Sequence, residues 1–299
     1  MILYAFRGEA PNFGDELNHW LLPKLLPGFF DDDAGKLFLG IGSILFDYHP
    51  AEPLKIVFGS GCGGYTAAPK LDHRWQVHFV RGPRTAQILG LDPAAGIGDS
   101  AVLLRALGLQ RAVAPRGPIF IPHVTSAIYG EWAPAAAAAG LRYVDPRRPV
   151  DEILEEILAA TVVVSEAMHG VIVADALRVP WVAMRPLFRN NIPKWADWGD
   201  SLGLGIAFRP MPPSGPVEAA LIALQRHSRA SRALRWHGRR FTGIGAPLLR
   251  GPVVRALQHA AAATPQLSED QAIGRAFDQM QEKLRLVQRL HAPAELVAH

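Results

Sequence analysis

The chain has 299 residues, a formal net charge of +4, 49% hydrophobic residues and 19% charged residues. This composition excludes a disordered protein, and the length fits two α/β domains better than one core. The single cysteine excludes an internal disulfide, and no stretch reaches the about 18 apolar residues of a membrane span. Charged residues follow residues 1–6 at once, so no signal peptide is predicted and a cytoplasmic protein is expected.

The chain opens with a strand pattern that runs into a polar turn. The apolar residues 1–6 predict a strand, and the loop after it contains Asn12 and Gly14. Asp15 is a good N-cap for a helix predicted over residues 16–22. Ligands of open parallel sheets bind beyond the carboxyl ends of the strands. Asp15 therefore has two interpretations, a plain helix cap or a residue of a ligand site.

Three further strands are predicted in this part of the chain, over residues 37–41, 54–58 and 75–80. The first two run into glycine-rich turns, where a backbone can approach a ligand closely, but neither turn matches a P-loop. The third is followed by Arg81, just before a predicted helix that ends near Gly90. An arginine at a strand end can bind a phosphate or carboxylate through two hydrogen bonds. The alternative is an ordinary surface arginine.

A change of composition divides the chain. Residues 108–117 have the Gly, Pro and Arg content of a linker, and beyond them strand and helix patterns alternate again. An S-x-x-Q capping box begins at Ser268 and introduces an amphipathic terminal helix. We therefore predict an α/β protein with domains at residues 1–110 and 117–210 and a helical extension at residues 211–299.

The stretch 161–185 predicts a compact strand–helix–strand unit. Residues 161–164 and 179–184 are apolar runs typical of buried strands, and helical spacing lies between them. The intervening turn reads Ser165-Glu166-Ala167-Met168-His169-Gly170. Because a helix begins there, its backbone N–H groups and dipole favour an anion. Glu166 and His169 are therefore candidate catalytic residues; the alternative is that His169 only caps the turn.

The charge of the chain is unevenly distributed. No Asp or Glu occurs between Ala219 and Ser268, while eight arginines give this stretch +8 and leave −4 for the remainder. These arginines are Arg226, Arg229, Arg232, Arg235, Arg239, Arg240, Arg250 and Arg255. A block of one sign indicates an anionic partner, such as a membrane surface, a lipid diphosphate or a nucleic acid. The alternative is a solvated arginine-rich face.

Four short motifs, taken in order, resemble the polysaccharide pyruvyl transferase family. They are Asn12-Phe13-Gly14-Asp15, the run from Arg81 to Gly90, Gly98-Asp99-Ser100, and the turn Ser165–Gly170 followed by Val179-Pro180. The resemblance covers roughly residues 1–205 and is strongest to members acting on bacterial exopolysaccharide repeat units of the succinoglycan and xanthan type. It implies two Rossmann-like domains of the glycosyltransferase-B-like class. It also implies phosphoenolpyruvate as donor, no other cofactor, and a pyruvate ketal on a sugar diol as product.

The resemblance also implies roles for individual residues. Arg81 and His169 match family positions implicated in the site. The substrate-binding residues expected on this basis are Arg81, Asn12, Gly14, Ser165, Gly170 and Arg185. Many members have an arginine two residues before the histidine, where this chain has Ala167. One phosphate or carboxylate contact is therefore expected to be either missing or supplied elsewhere, by Arg185, Arg189 or Arg84.

The chemistry of such a transfer sets requirements for the site. Phosphoenolpyruvate is a compact trianion that needs cations and N–H donors, and Arg81 and the helix after the turn offer both. Ketal formation needs protonation of the enol carbon, attack by one hydroxyl, loss of phosphate and closure by a second hydroxyl. His169 is expected to be the acid or a phosphate contact, and Asp15 or Glu166 to activate the acceptor hydroxyls. The sequence has no metal-ligand pattern, so no metal is expected.

Two other functions remain open from the sequence. One is a nucleotide-sugar glycosyltransferase of the same broad fold, and the other is a non-catalytic assembly protein that holds a lipid-linked glycan. The expected partners are phosphoenolpyruvate, a lipid-linked oligosaccharide acceptor and, from the arginine block, an anionic membrane surface; no nucleic acid is expected. We therefore expect a cytoplasmic protein peripheral to the inner face of the plasma membrane.

Overall fold

The computed structural model describes residues 1–188, 191–224 and 229–291, without the side chains of residues 229–233 and 239. The strands are β1 (Ile2–Tyr4), β2 (Lys36–Leu39), β3 (Leu54–Phe58), β4 (Trp75–Phe79), β5 (Ile119–Ile121), β6 (Arg142–Tyr143), β7 (Val163–Ser165) and β8 (Trp181–Ala183). The α-helices are α1 (Phe13–Leu25), α2 (Pro83–Ile88), α3 (Val124–Tyr129), α4 (Trp132–Ala138), α5 (Val150–Leu158), α6 (Met168–Ala176), α7 (Ile192–Ser201), α8 (Pro216–Ala223), α9 (Arg229–Gly238), α10 (Ala246–Ala261) and α11 (Asp270–His291). Strands and helices alternate over most of the chain, as in an α/β protein.

The chain forms two compact units, each assembled from separate stretches. Unit 1 contains Met1–Leu109, Asn190–Ile206 and Ser268–His299, and unit 2 contains Gln110–Arg189 and Ala207–Leu267. The predicted helical extension at residues 211–299 is therefore not one body. Its first part belongs to unit 2, and α11 belongs to unit 1, where it buries Ile273 and Met280. An amphipathic helix is stable only when its apolar face is covered, and unit 1 covers that of α11.

Unit 1 is built on a parallel sheet with the strand order β1-β2-β3-β4. The four strands predicted in this part of the chain are confirmed within a few residues at each end. Strands β2 and β3 are almost wholly buried, as expected for parallel strands covered on both faces. Helix α1 begins at Phe13 instead of residue 16, because Phe13, Leu17 and Leu21 form one buried stripe.

Unit 2 is built on a second parallel sheet with the strand order β6-β5-β7-β8. The predicted strand–helix–strand unit is confirmed as β7, α6 and β8. Helix α6 is buried except at His169, which makes it a central helix of the unit. The protein is thus of the α/β class, with a parallel sheet in each unit.

A buried carboxyl group fastens the start of helix α8 in unit 2. Glu218 accepts hydrogen bonds from the Trp132 indole N–H (3.0 Å) and from the backbone N–H (2.6 Å) and hydroxyl (2.9 Å) of Ser214. Burial raises the pKa of Glu218 to about 7, and the charge of Glu166 acts in the same direction. This carboxyl is fully buried, so it is not part of the surface on which the arginine block lies. No helix among the residues described is long and apolar enough to cross a membrane.

Candidate active site

The two sheets differ in strand order, and strand order indicates where an open parallel sheet binds its ligand. In unit 2 the chain passes from β5 to β6 on one side and then returns to β7 on the other side of β5. The strand order therefore reverses between β5 and β7, and ligands of open α/β sheets bind beyond the carboxyl ends of the strands at such a point. Unit 1 has the sequential order β1-β2-β3-β4 and no reversal. The topology therefore points to the edge of unit 2 as the candidate active site.

The turns after β5, β7 and β8 are neighbours at this edge. Ser165 is in register with Ile121 of β5 and with Ala183 of β8. His123 follows the end of β5, and His169 lies in the first turn of α6, directly after β7. The reversal point of the sheet is thus flanked by one histidine on each side.

The turn between β7 and α6 is shaped by Ser165 and Gly170. The buried hydroxyl of Ser165 accepts from the Ala167 N–H (3.0 Å) and lies within donating distance of the carbonyls of Ile121 (3.0 Å) and Ala167 (2.9 Å). A Cβ atom on Gly170 would stand 2.5 Å from Ser165 Oγ, so this close approach requires glycine. Both residues were predicted to bind substrate. In the structure they hold the first turn of α6 against the sheet, and their contact with substrate stays a prediction.

Glu166 joins three turns at this edge. Its carboxylate accepts from the His123 backbone N–H at Oε2 (2.9 Å) and from the Leu187 N–H at Oε1 (3.0 Å), and the residue is buried. The sequence predicts Glu166 as a catalytic carboxylate. In the structure Glu166 positions these turns, because its two oxygens accept from the turns that follow β5 and β8, and its catalytic role stays a prediction.

Replacing Glu166 with glutamine is expected to lower the free energy of unfolding by about 1–3 kcal/mol. The amide oxygen can accept only one of the two backbone N–H groups, and the NH₂ group then faces the other. Urea unfolding measures the loss, with Glu155→Gln on the exposed face of α5 as control, since that side chain is 76% exposed. An unchanged unfolding midpoint combined with a large loss of turnover would return Glu166 to the catalytic role.

The two histidines differ in their local contacts. His123 caps α3, and its Nδ1 accepts from the Thr125 N–H (3.2 Å), so the neutral ring carries its proton on Nε2. His169 is half-buried, whereas the other eight residues of α6 are buried. His123 was not among the residues selected from the sequence. The sequence feature that could have identified His123 as a candidate is its position directly after a run of residues, 119–122, that predicts a strand.

Arg185 is an exposed cation at this edge. It follows β8, its side chain is exposed, and its backbone N–H donates to the carbonyl of Arg209 (2.8 Å). Two other arginines were candidates for the anion contact that Ala167 cannot make. Of these, Arg84 pairs with Asp200 (2.6 Å) in unit 1. Arg189 lies outside the residues described. Arg185 is therefore the described arginine in the best position to meet an anion at the end of β8.

Arg81, which is predicted to bind an anion, is held by protein groups in unit 1. It is fully buried, and its Nε donates to the Asp197 carboxylate (3.1 Å). Its Nη1 donates to the Ser43 hydroxyl (2.7 Å) and its Nη2 to the Cys62 carbonyl (2.9 Å). All three guanidinium nitrogens thus bind the protein itself. In this structure Arg81 is a brace between the turns after β2, β3 and β4, and its contact with a substrate anion stays a prediction.

Asp197 is the partner that sequence reasoning missed. It lies in α7 and also accepts from the backbone N–H (2.9 Å) and hydroxyl (2.7 Å) of Thr85, in the first turn of α2. Gly82 allows the two helices to meet, since a Cβ atom there would stand 1.9 Å from the Asp197 carbonyl oxygen. The sequence feature that could have indicated its role is an acidic residue between two tryptophans, Trp195 and Trp198, both of which are buried.

Asn12, Gly14 and Asp15 lie at the start of α1 in unit 1. The N-cap of α1 is Asn12, so the prediction of Asp15 as N-cap is wrong. Asp15 occupies the first turn and accepts from the Asn12 side-chain amide (2.7 Å), while Gly14 is buried. Asp15 remains half-exposed beyond the end of β1, and its action on acceptor hydroxyls stays a prediction. Across the described ranges, no three His, Cys, Asp or Glu side chains are grouped so that they could hold a metal ion.

Comparison with known proteins defines the class. The model of the family described as polysaccharide pyruvyl transferase matches residues 27–186. The chain belongs to this family, which makes it a transferase, and the predicted family and enzyme class are confirmed. The alternative of a non-catalytic assembly protein is thereby set aside.

The chain is 35% identical over 297 residues to the succinoglycan biosynthesis protein ExoV of Rhizobium meliloti, covering 90% of this chain and 93% of that protein. It is also 27% identical over 132 residues to the ribosomal RNA small subunit methyltransferase J of Alcanivorax borkumensis, covering 40% of this chain and 53% of that protein. The first similarity extends over both units, and the second is confined to part of the chain.

Proposed function

We propose that the protein transfers the pyruvyl group of phosphoenolpyruvate to two hydroxyls of one sugar in a lipid-linked exopolysaccharide repeat unit, forming a cyclic ketal. Membership of the pyruvyl transferase family supports the reaction. Similarity over 93% of a protein of succinoglycan biosynthesis supports the exopolysaccharide acceptor. The observation that carries the proposal is the reversal of strand order in unit 2, with His123 and His169 on either side.

The reaction transfers two protons and expels one phosphate. The CH₂ carbon of the donor's enol group accepts a proton and becomes a methyl group. At the same time one acceptor hydroxyl adds to the neighbouring carbon, which bears the phosphate, and loses its proton. The second hydroxyl then displaces phosphate from the same carbon, and its proton leaves with the phosphate. Each step needs a group that exchanges protons near neutral pH, which is the range of an imidazole. No further cofactor is proposed, because acid–base groups suffice for this addition and displacement.

His169 is the proposed acid or phosphate contact. It lies at the positive end of the α6 dipole, which stabilises a phosphate that arrives as part of a trianion or departs as an anion. Arg185, exposed after β8, is proposed to contact the donor carboxylate or phosphate. His123 lies at the same edge, directly after β5, and is the proposed second proton carrier.

We also propose that each unit is a Rossmann-like domain of the glycosyltransferase-B-like class. The four-stranded parallel sheet and flanking helices of each unit support this assignment. Because phosphoenolpyruvate is a cytoplasmic metabolite, we propose that the reaction takes place in the cytoplasm, with the enzyme peripheral to the inner face of the plasma membrane that carries the lipid-linked acceptor.

A donor comparison tests the proposed function. The purified protein is incubated with a lipid-linked oligosaccharide and phosphoenolpyruvate, and in parallel with the same acceptor and UDP-sugars. We expect phosphate release that equals the amount of acid-labile ketal found on the acceptor by mass spectrometry. Transfer of a sugar from a UDP-sugar, with no phosphate released from phosphoenolpyruvate, would instead assign the protein to the glycosyltransferases.

A further inference from the structure

The end of α9 and the start of α10 expose a cluster of large apolar side chains. Trp236 is 82% exposed, Phe241 51%, Ile244 67% and Leu248 85%. Among the residues described, eleven large hydrophobic side chains are exposed, and four of them fall within residues 236–248. Single exposed apolar residues are ordinary, but four of them in one short segment indicate an interaction surface.

These side chains face outward because other residues of the same segment supply the core contacts. Gly238 is buried, and a Cβ atom on it would stand 2.9 Å from Val217 Cγ1. Helix α10 buries Ala246, Val253 and Leu257 and leaves Leu248 on its other face. The segment thus packs against unit 2 through one side, and the four apolar side chains of its other side are exposed.

Positive charge surrounds this apolar cluster. Arg240, Arg250 and Arg255 are exposed, and no Asp or Glu occurs between Ala219 and Ser268. Two acids from outside that stretch lie close to it. Glu218 is buried in its hydrogen bonds, and Glu131 accepts from the Thr242 hydroxyl (2.7 Å). Arg226 lies outside the described residues, as do the side chains of Arg229, Arg232 and Arg239.

We propose that residues 236–255 form a membrane-docking surface, which inserts Trp236, Phe241, Ile244 and Leu248 into the interface of an anionic bilayer. Exposed aliphatic side chains gain nothing against a nucleic-acid backbone, but they enter the acyl boundary of a bilayer. Tryptophan is suited to the headgroup region, and arginines bind lipid phosphates there. A second copy of this surface would bring arginines against arginines. The chemistry of the cluster therefore selects an anionic lipid surface.

The first test measures binding of the full chain to vesicles in the absence of any substrate, so its outcome is independent of the proposed transfer reaction. We expect sedimentation with phosphatidylglycerol-containing vesicles, weaker binding to pure phosphatidylcholine, and weakening by salt. Brominated lipids should quench tryptophan fluorescence, and Trp236→Ser should abolish the quenching, since the six other tryptophans are buried or half-buried. Absence of quenching in the parent protein would overturn the proposal without any variant.

The second test separates the apolar and the charged contributions. The quadruple variant W236S/F241S/I244S/L248S is expected to bind anionic vesicles about tenfold or more weakly than the parent. The triple variant R240Q/R250Q/R255Q is expected to flatten the salt dependence of binding. The matched control is I88S/V113S, which removes two exposed apolar side chains outside the segment and should bind like the parent.

Three outcomes contradict this surface assignment. One is binding of the folded quadruple variant to anionic vesicles as tightly as the parent, with folding checked by circular dichroism. Another is self-association of the parent that the quadruple variant loses, without vesicle binding, which would assign the surface to a second copy. The last is binding to single-stranded RNA in the absence of vesicle binding.

Discussion

Replacing His169 with glutamine is expected to lower kcat by ~10² or more while leaving the free energy of unfolding nearly unchanged. Glutamine keeps a polar side chain of similar reach but does not exchange protons near neutral pH. The residue is half-buried at the start of α6 and has room for the amide, so the fold should tolerate the change. Steady-state kinetics with phosphoenolpyruvate and a lipid-linked acceptor measure the effect.

The same kinetics distinguish the two proposed roles of His169. Loss of an acid catalyst lowers kcat, whereas loss of a phosphate contact raises the KM for the donor. His73→Gln is the matched control, because His73 is exposed in unit 1 just before β4. Wild-type values of both parameters in the His169 variant would leave this histidine as a cap of the turn and nothing more.

Local patterns predicted the βαβ unit of the candidate site well. Residues 163–165 and 181–183 are β-branched, aromatic or small, and the nine residues of α6 lie between them with helical spacing. Both signals depend only on neighbours in the sequence. The position of the turn at the carboxyl end of β7 follows from the order of strand and helix, so the candidate edge was also predictable.

The contacts of individual side chains were not predictable in the same way. Asp197 is 116 residues from Arg81, and the two N–H groups bound by Glu166 are 43 and 21 residues away from it. The sequence shows that a charged residue follows a strand, but not which distant group meets it. In both cases the structure shows a partner inside the protein that local sequence patterns do not indicate.

Strand order was a further property that local patterns did not contain. The importance of His123 depends on β6 lying outside β5, because this order creates the reversal point between β5 and β7. An alternation of strands and helices is equally compatible with the sequential order found in unit 1. The packing of α11 on unit 1 is a similar case, since an amphipathic face does not specify the core that covers it.

Replacing Arg81 with alanine is expected to lower the free energy of unfolding by about 3–5 kcal/mol. The change leaves the buried Asp197 carboxylate without its cation, and it removes donors to Ser43 and to the Cys62 carbonyl. Arg81→Lys should recover only part of the loss, because one ammonium group does not replace three donors held in a plane. Urea unfolding followed by circular dichroism measures both variants.

Arg84→Ala is the matched control for this prediction. Arg84 also pairs with an acid of α7, Asp200, but its side chain is 53% exposed and that of Asp200 is 42% exposed. An exposed ion pair contributes at most about 1 kcal/mol, so this variant should unfold close to the parent. If Arg81→Ala unfolds like Arg84→Ala while its activity is lost, then Arg81 contacts the donor after all. If instead stability falls and R81M/D197N regains part of it, the cost of R81A comes from the carboxylate left buried without its partner.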